Sequence, residues 1–166
     1  FKQIYDSNGY LYTLWCLRTV DEKWYPLWRH FACDCADDVR HLITDQRARN
    51  LIDITRGYAD GLVTDQELYE AKCAAFDDDW ASARASARGA ARGAARGAVL
   101  PTAWGAAWDA ANAAANAAGW AAASAAASGP ARDAANSAAK SAAMSAAMEK
   151  QMQRLFEYCR TGERVK

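Results

Sequence analysis

Apolar residues fall at helical spacing through the first half of the chain. Leu11, Leu14 and Trp15, followed by Arg18, keep the i, i+3, i+4, i+7 pattern of one helix face. The stretch before them, Tyr5-Asp6-Ser7-Asn8-Gly9-Tyr10, admits two readings. Asn-Gly between aromatics is a hairpin signal, whereas Ser7 or Asn8 serves equally as a helix cap. The spacing favours the helix. Pro26 suits a first turn, and a helix from about 27 to 43 follows, with Trp28, Phe31, Ala32, Cys35, Val39 and Leu42 as its stripe. Thr44 or Asp45 caps the next, with Leu51, Ile52, Ile54, Thr55 and Tyr58 inward, and Gly61 marks its stop. Thr64 and Glu67 are spaced as a capping box, which starts a further helix through Leu68, Ala71, Lys72 and Ala75.

From Ala81 the pattern becomes a strict period of four. Arg84, Arg88, Arg92 and Arg96 open a row that continues through Leu100, Trp104, Trp108, Asn112, Asn116 and Trp120 and, after a polar stretch, reaches Met144, Met148 and Met152. Alanine fills most positions between, 34 of the 68 from Ala81 to Met148. Alanine has the highest helix propensity, so the state is helical. Four residues advance about 400° on a helix, so the row drifts about 40° per step and cannot stay on one face of a long straight helix. Leu100-Pro101 and Gly129-Pro130 break the run, giving helices at about 66–99, 102–128 and 131–158. Smooth alanine faces let backbones approach at the short end of the usual ~8–10 Å range. The expected fold is all-α, a helical bundle of five or six helices with a tightly packed alanine-rich seam.

Charge divides the chain. Its 166 residues balance 20 basic against 20 acidic side chains, so the whole gives no sign of nucleic acid or membrane as an obligate partner. Residues 1–79 hold nine Lys or Arg against fifteen Asp or Glu, a net of minus six, and residues 80–166 carry plus six. We expect an acidic N-terminal helical part, 1–79, and a basic alanine-rich part, 80–166, neutralising each other within one cooperative domain. Head-to-tail pairing between copies is the alternative. No apolar run of 18 residues excludes a transmembrane helix, and no signal peptide is visible. The chain opens on Phe1 rather than Met, which points to a trimmed or processed start. The five cysteines have no disulfide-scaffold spacing, so reduced thiols and a cytoplasmic location are expected.

Three strings stand out: Leu27-Trp28-Arg29-His30-Phe31-Ala32-Cys33-Asp34-Cys35-Ala36, His41-Leu42-Ile43-Thr44-Asp45-Gln46-Arg47-Ala48-Arg49, and Tyr58-Ala59-Asp60-Gly61-Leu62-Val63-Thr64-Asp65-Gln66-Glu67-Leu68. Over roughly residues 14–158 the chain resembles a group of uncharacterised alanine-rich proteins of bacteriophages and some bacteria, notably planctomycetes. These share FACxC, HLLTDERSR and YADGLAT-x-EEL strings and an alanine-rich helical run ending near a Leu-Phe pair, matched by Leu155-Phe156. The resemblance carries over no catalytic residue, and for a phage-encoded chain it implies the host cytoplasm. The Trp-rich stretch from 104 to 120 departs from the group and points to a ligand or partner of its own.

Candidate chemistry is sparse. Cys33-x-Cys35 with His30 and His41 nearby suggests a metal, but helix residues two apart point about 200° from each other and do not share an ion. Buried thiols, with no metal and no cofactor, are expected. His41 with Asp45, and His30 with Asp34, stand four apart as candidate general-base pairs, against roles as a helix-end histidine and a capping carboxylate. Asp77-Asp78-Asp79 lacks the spaced ligands of a calcium loop. The ligand-binding candidates are Arg84, Arg88, Arg92, Arg96, Trp104, Trp108 and Trp120. Arginine forks match phosphate or carboxylate oxygens, and indoles stack on bases. The alternative is a solvated arginine row paired with the acidic half, with tryptophans filling gaps in an alanine core. The expected function is a non-enzymatic, phage-type binding protein that counters host defence by capturing a nucleotide-like signal or an acidic host protein. A self-associating assembly protein, forming a homo-oligomer, and an enzyme using His41 and Asp45 are the other classes.

Overall fold

A computed structural model describes residues 1–19, 21–76, 103–126 and 129–162. Among the described residues there are six helices: α1 (Lys2–Trp15), α2 (Tyr25–Asp37), α3 (Gln46–Ala59), α4 (Asp65–Phe76), α5 (Ala103–Ala125) and α6 (Gly129–Thr161). Short 3-10 turns at Cys16–Thr19, Glu22–Trp24 and Arg40–Leu42 join the first three. There is no strand among the described residues, and the all-α bundle read from the sequence is the fold found.

Local chemistry sets most of the ends. Pro26 lies in the first turn of α2. Asp45 caps α3, its carboxylate accepting from Arg47 N at 2.9 Å. At the other end Gly61 takes φ 72°, Gly61 N donates to Tyr58 O and Leu62 N to Gly57 O. This paired 5→2 and 6→1 arrangement is a Schellman stop. The Thr64–Glu67 box closes as its spacing predicts, with Thr64 N donating to Glu67 Oε2 at 2.8 Å and Glu67 N to Thr64 Oγ1 at 3.3 Å.

Two ends differ from expectation. Asn8-Gly9 makes no hairpin: Gly9 kinks α1 at φ 77°, ψ −173°, and the helix expected through Leu11, Leu14 and Trp15 runs on from that kink. Beyond the break Tyr10, Thr13, Leu14 and Leu17 turn inward, leaving Leu11, Tyr12 and Trp15 exposed. The inward stripe is thus rotated from the one the spacing suggested. Helix α2 stops at Asp37 rather than near 43. The turn at Asp38-Val39 returns Val39 and Ile43 to the core while Asp37, Asp38 and Arg40 meet charged partners.

Helix α2 is the hub. It packs on α3, α5 and α6, so His30, Cys33 and Ala36 are buried as well as the expected Trp28, Phe31, Ala32 and Cys35. Helices α5 and α6 form an antiparallel pair, since Gln151 reaches Ala107 O at 3.0 Å while Gly119 lies against Asn136 and Lys140. The alanine seam is buried at Ala106, Ala107, Ala110, Ala111, Ala113 and Ala115. A Cβ on Gly119 would stand 2.4 Å from Asn136 Oδ1 and 2.5 Å from Lys140 Cγ, so the side chains of Asn136 and Lys140 lie over this glycine. The main core draws on α1, α2, α3, α5 and α6; a smaller cluster of Leu51, Leu68 and Ala75 joins α3 to α4.

Candidate functional site

Helix α5 carries the tryptophans singled out in the sequence. Trp104 stands at its first turn, 40% exposed; Trp108, one turn on, packs partly buried against the main core; Trp120, near the far end, is 60% exposed. Sixteen residues separate Trp104 from Trp120, about 24 Å along the axis and about 160° around it. These two indoles therefore cannot grip the same small ring. Arg84, Arg88, Arg92 and Arg96, with Asp77-Asp78-Asp79, lie outside the described residues.

The polar side chains of α5 are partly self-satisfied. Asn112 Nδ2 donates to Trp108 O at 3.0 Å and Ser124 Oγ to Trp120 O at 2.8 Å. Asp109 is different. It is half-buried, and desolvation pushes its carboxyl up to about 6 from the ordinary 3.8.

A second aromatic group lies at the same end of the bundle. The Tyr10 hydroxyl donates to Gln151 Oε1, and Gln151 Nε2 donates to Ala107 O, which seats the second half of α1 beside the first turns of α5. Leu11, Tyr12 and Trp15 are therefore exposed at the end that also carries Trp104. The signal for this was present in the aromatic content of residues 10–15, but the break at Gly9 decides which side faces out.

The acidic half meets the basic half through named pairs. Arg154 clasps Asp38 with both terminal nitrogens at 3.0 Å, and Lys150 Nζ reaches the same carboxylate at 2.8 Å. The Tyr158 hydroxyl donates to Asp34 at 2.6 Å, and Arg56 bridges Asp34 and Asp37 at 2.8 and 2.7 Å. Arg40 joins Asp37 to Asp53, and the Arg40 guanidinium holds the Asp53 carboxyl below its ordinary value. None of these ties between α6 and α2 was readable from spacing, because more than a hundred residues separate the partners.

The candidate acid–base residues are engaged elsewhere. His30 Nε2 lies 3.0 Å from Asp60 Oδ1, and Asp34 is taken by Arg56 and Tyr158. His41 is exposed on a 3-10 turn, while Asp45 caps α3 and grips the Arg47 side chain. Cys33 and Cys35 are fully buried. Cys33 Sγ contacts Ile52 O at 3.6 Å, and burial pushes the Cys35 thiol up to about 12. No disulfide joins any of the five cysteines. Among the described residues no cluster of three or more metal-ligating side chains occurs, and no helix is long and apolar enough to cross a membrane.

No family model, curated protein or solved structure matches this chain.

Proposed function

We propose that this chain is a non-enzymatic binding protein of the phage type, which captures an acidic host protein or a nucleotide-like ligand through indoles and arginines. One observation carries the reading: Trp15, Trp104 and Trp120 stand exposed, at 53%, 40% and 60%, on helices that bury their smaller neighbours. Tryptophan, tyrosine and arginine are the side chains enriched at interface hot spots. The separation of Trp104 from Trp120 favours an extended partner over a single base. The row Arg84 to Arg96 belongs to the same basic half and supplies positive charge for an acidic surface. Countering a host defence is the role we assign to that capture.

The test is capture from a host lysate on the immobilised chain, followed by calorimetry with the captured species. Trp104→Ala, and Arg92→Ala with Arg96→Ala, are each expected to weaken binding at least about tenfold, roughly 1.4 kcal/mol, with helicity unchanged. Added salt is expected to weaken it further. Unchanged affinity in both variants would refute the assignment. A second reading, self-association, is favoured by the exposed small-residue face of α6 at Ala134, Ala138, Ala142 and Ala146. Light scattering on the purified chain decides it.

A further inference from the structure

The opening of α1, the start of α2 and the end of α6 enclose a half-open cavity of about 230 Å³. Four aromatic rings from these three stretches line it: Phe1, Trp24, Trp28 and Tyr158, with Leu27 and Cys159 completing the wall. Trp28 and Tyr158 are buried and form its floor, whereas Trp24 and Cys159 are exposed and form its rim. Phe1 stands edge-on to Trp28, centroids 6.1 Å apart at 69°. The Tyr158 hydroxyl is held away on Asp34, so the tyrosine offers carbon rather than a polar tip.

We infer that this cavity is a binding site for a small, flat, neutral aromatic molecule of one or two fused rings. Three observations lead there. Size is the first: cavities of roughly 150 Å³ lined by apolar side chains hold a single benzene ring, so a space half as large again admits a bicycle. Shape and chemistry come next, because edge-to-face and offset contacts with several rings suit a flat π-system, and no acidic or basic side chain lines the wall. A cage of aromatic rings also attracts quaternary ammonium ions. Here, however, the Lys23 ammonium already lies 5.9 Å from the Trp24 ring centroid, which disfavours a second cation at that rim. The third observation is that Trp28 Nε1 is buried with no hydrogen-bond partner. A buried donor left unmatched is uncommon, and a ring nitrogen or carbonyl on the ligand would supply the missing acceptor after a small turn of the indole. This site is separate from the exposed indoles of α5.

The experiment is a titration of the full chain, 15N-labelled at tryptophan, with quinoline, a neutral bicycle bearing one acceptor; tetramethylammonium is the cationic control. The Trp28 indole N–H resonance is expected to move saturably with quinoline, with Kd at about millimolar or tighter, and to stay still with tetramethylammonium. Cys159→Phe fills the mouth from the rim, and Trp24→Ala removes one wall. Each is expected to weaken quinoline binding about tenfold or more, with the circular dichroism spectrum unchanged. A Trp28 resonance that does not respond would overturn the proposal. So would saturation by tetramethylammonium in preference to quinoline, or titrations unchanged in both folded variants.

Discussion

Gln151 is buried to 1% exposure among apolar side chains because both ends of its amide are matched, one by the Tyr10 hydroxyl and the other by Ala107 O. Tyr10→Phe leaves the amide oxygen without a donor, a loss expected to cost about 1–3 kcal/mol in urea unfolding. Combining it with Gln151→Met should cost less than the two single changes summed, since removing both partners spares the unmatched group. A double-mutant cycle that adds strictly would mean the two residues do not interact. Asp109 gives a prediction of opposite sign. Its folded pKa of about 6 lies above the ordinary 3.8, so folding takes up a proton between those values. Its contribution to stability is therefore greatest below about pH 4 and is lost as pH rises through about 6. Asp109 stays partly solvated, which screens the effect, so Asp109→Asn is expected to stabilise the chain by about 1 kcal/mol at pH 7.5 and to change little at pH 4. Paired thermal melts of variant and parent at the two pH values provide the check, and a variant no more stable at pH 7.5 refutes it.

At the scale of elements, close approach is the property that distinguishes α5 and α6. Ala106, Ala107 and Ala111 are fully buried, and the Asn136 and Lys140 side chains lie over Gly119. Ala111→Leu is expected to lower stability by about 1–3 kcal/mol through overpacking, read as a lower urea midpoint. A midpoint that stays put would show the seam to be loose. This seam was legible in the sequence because helix propensity, the four-residue period and the Gly129-Pro130 break are all local signals. The Gly61 stop and the Thr64–Glu67 box were legible for the same reason. The kink at Gly9 was half legible: Asn-Gly announced a change of direction, but whether the chain turns back or only bends depends on what α1 packs against. The early end of α2 was not legible, because Asp38 leaves the helix to meet Arg154 and Lys150, residues 116 and 112 positions away. The candidate site divides similarly. Spacing found Trp104 and Trp120, whereas the outward turn of Trp15 and the aromatic cavity at the α2–α6 end arise only when distant helices meet.

For the molecule as a whole, the main core takes residues from the acidic and the basic part alike, and Arg154 on α6 holds Asp38 at the end of α2. Thermal unfolding followed by tryptophan fluorescence and by far-ultraviolet circular dichroism is expected to give coincident curves, as for a two-state domain. Arg154→Ala is expected to lower stability by about 2–3 kcal/mol, because Asp38 loses a bidentate partner in a largely enclosed setting. Separate transitions for the two signals would instead mean that the two parts melt independently. The alanine seam has a further consequence. Its methyl rows repeat every four residues, about 6 Å, so methyl-on-methyl contact by itself does not fix how far α6 runs along α5. The seam is thus a ruler whose marks are all alike. Its zero is set at one end of α6, where Met152, Leu155 and Tyr158 enter the main core, Gln151 meets Ala107 O and Arg154 holds Asp38. Alignment in this molecule is chosen in the last three turns of one helix, and the alanine rows follow.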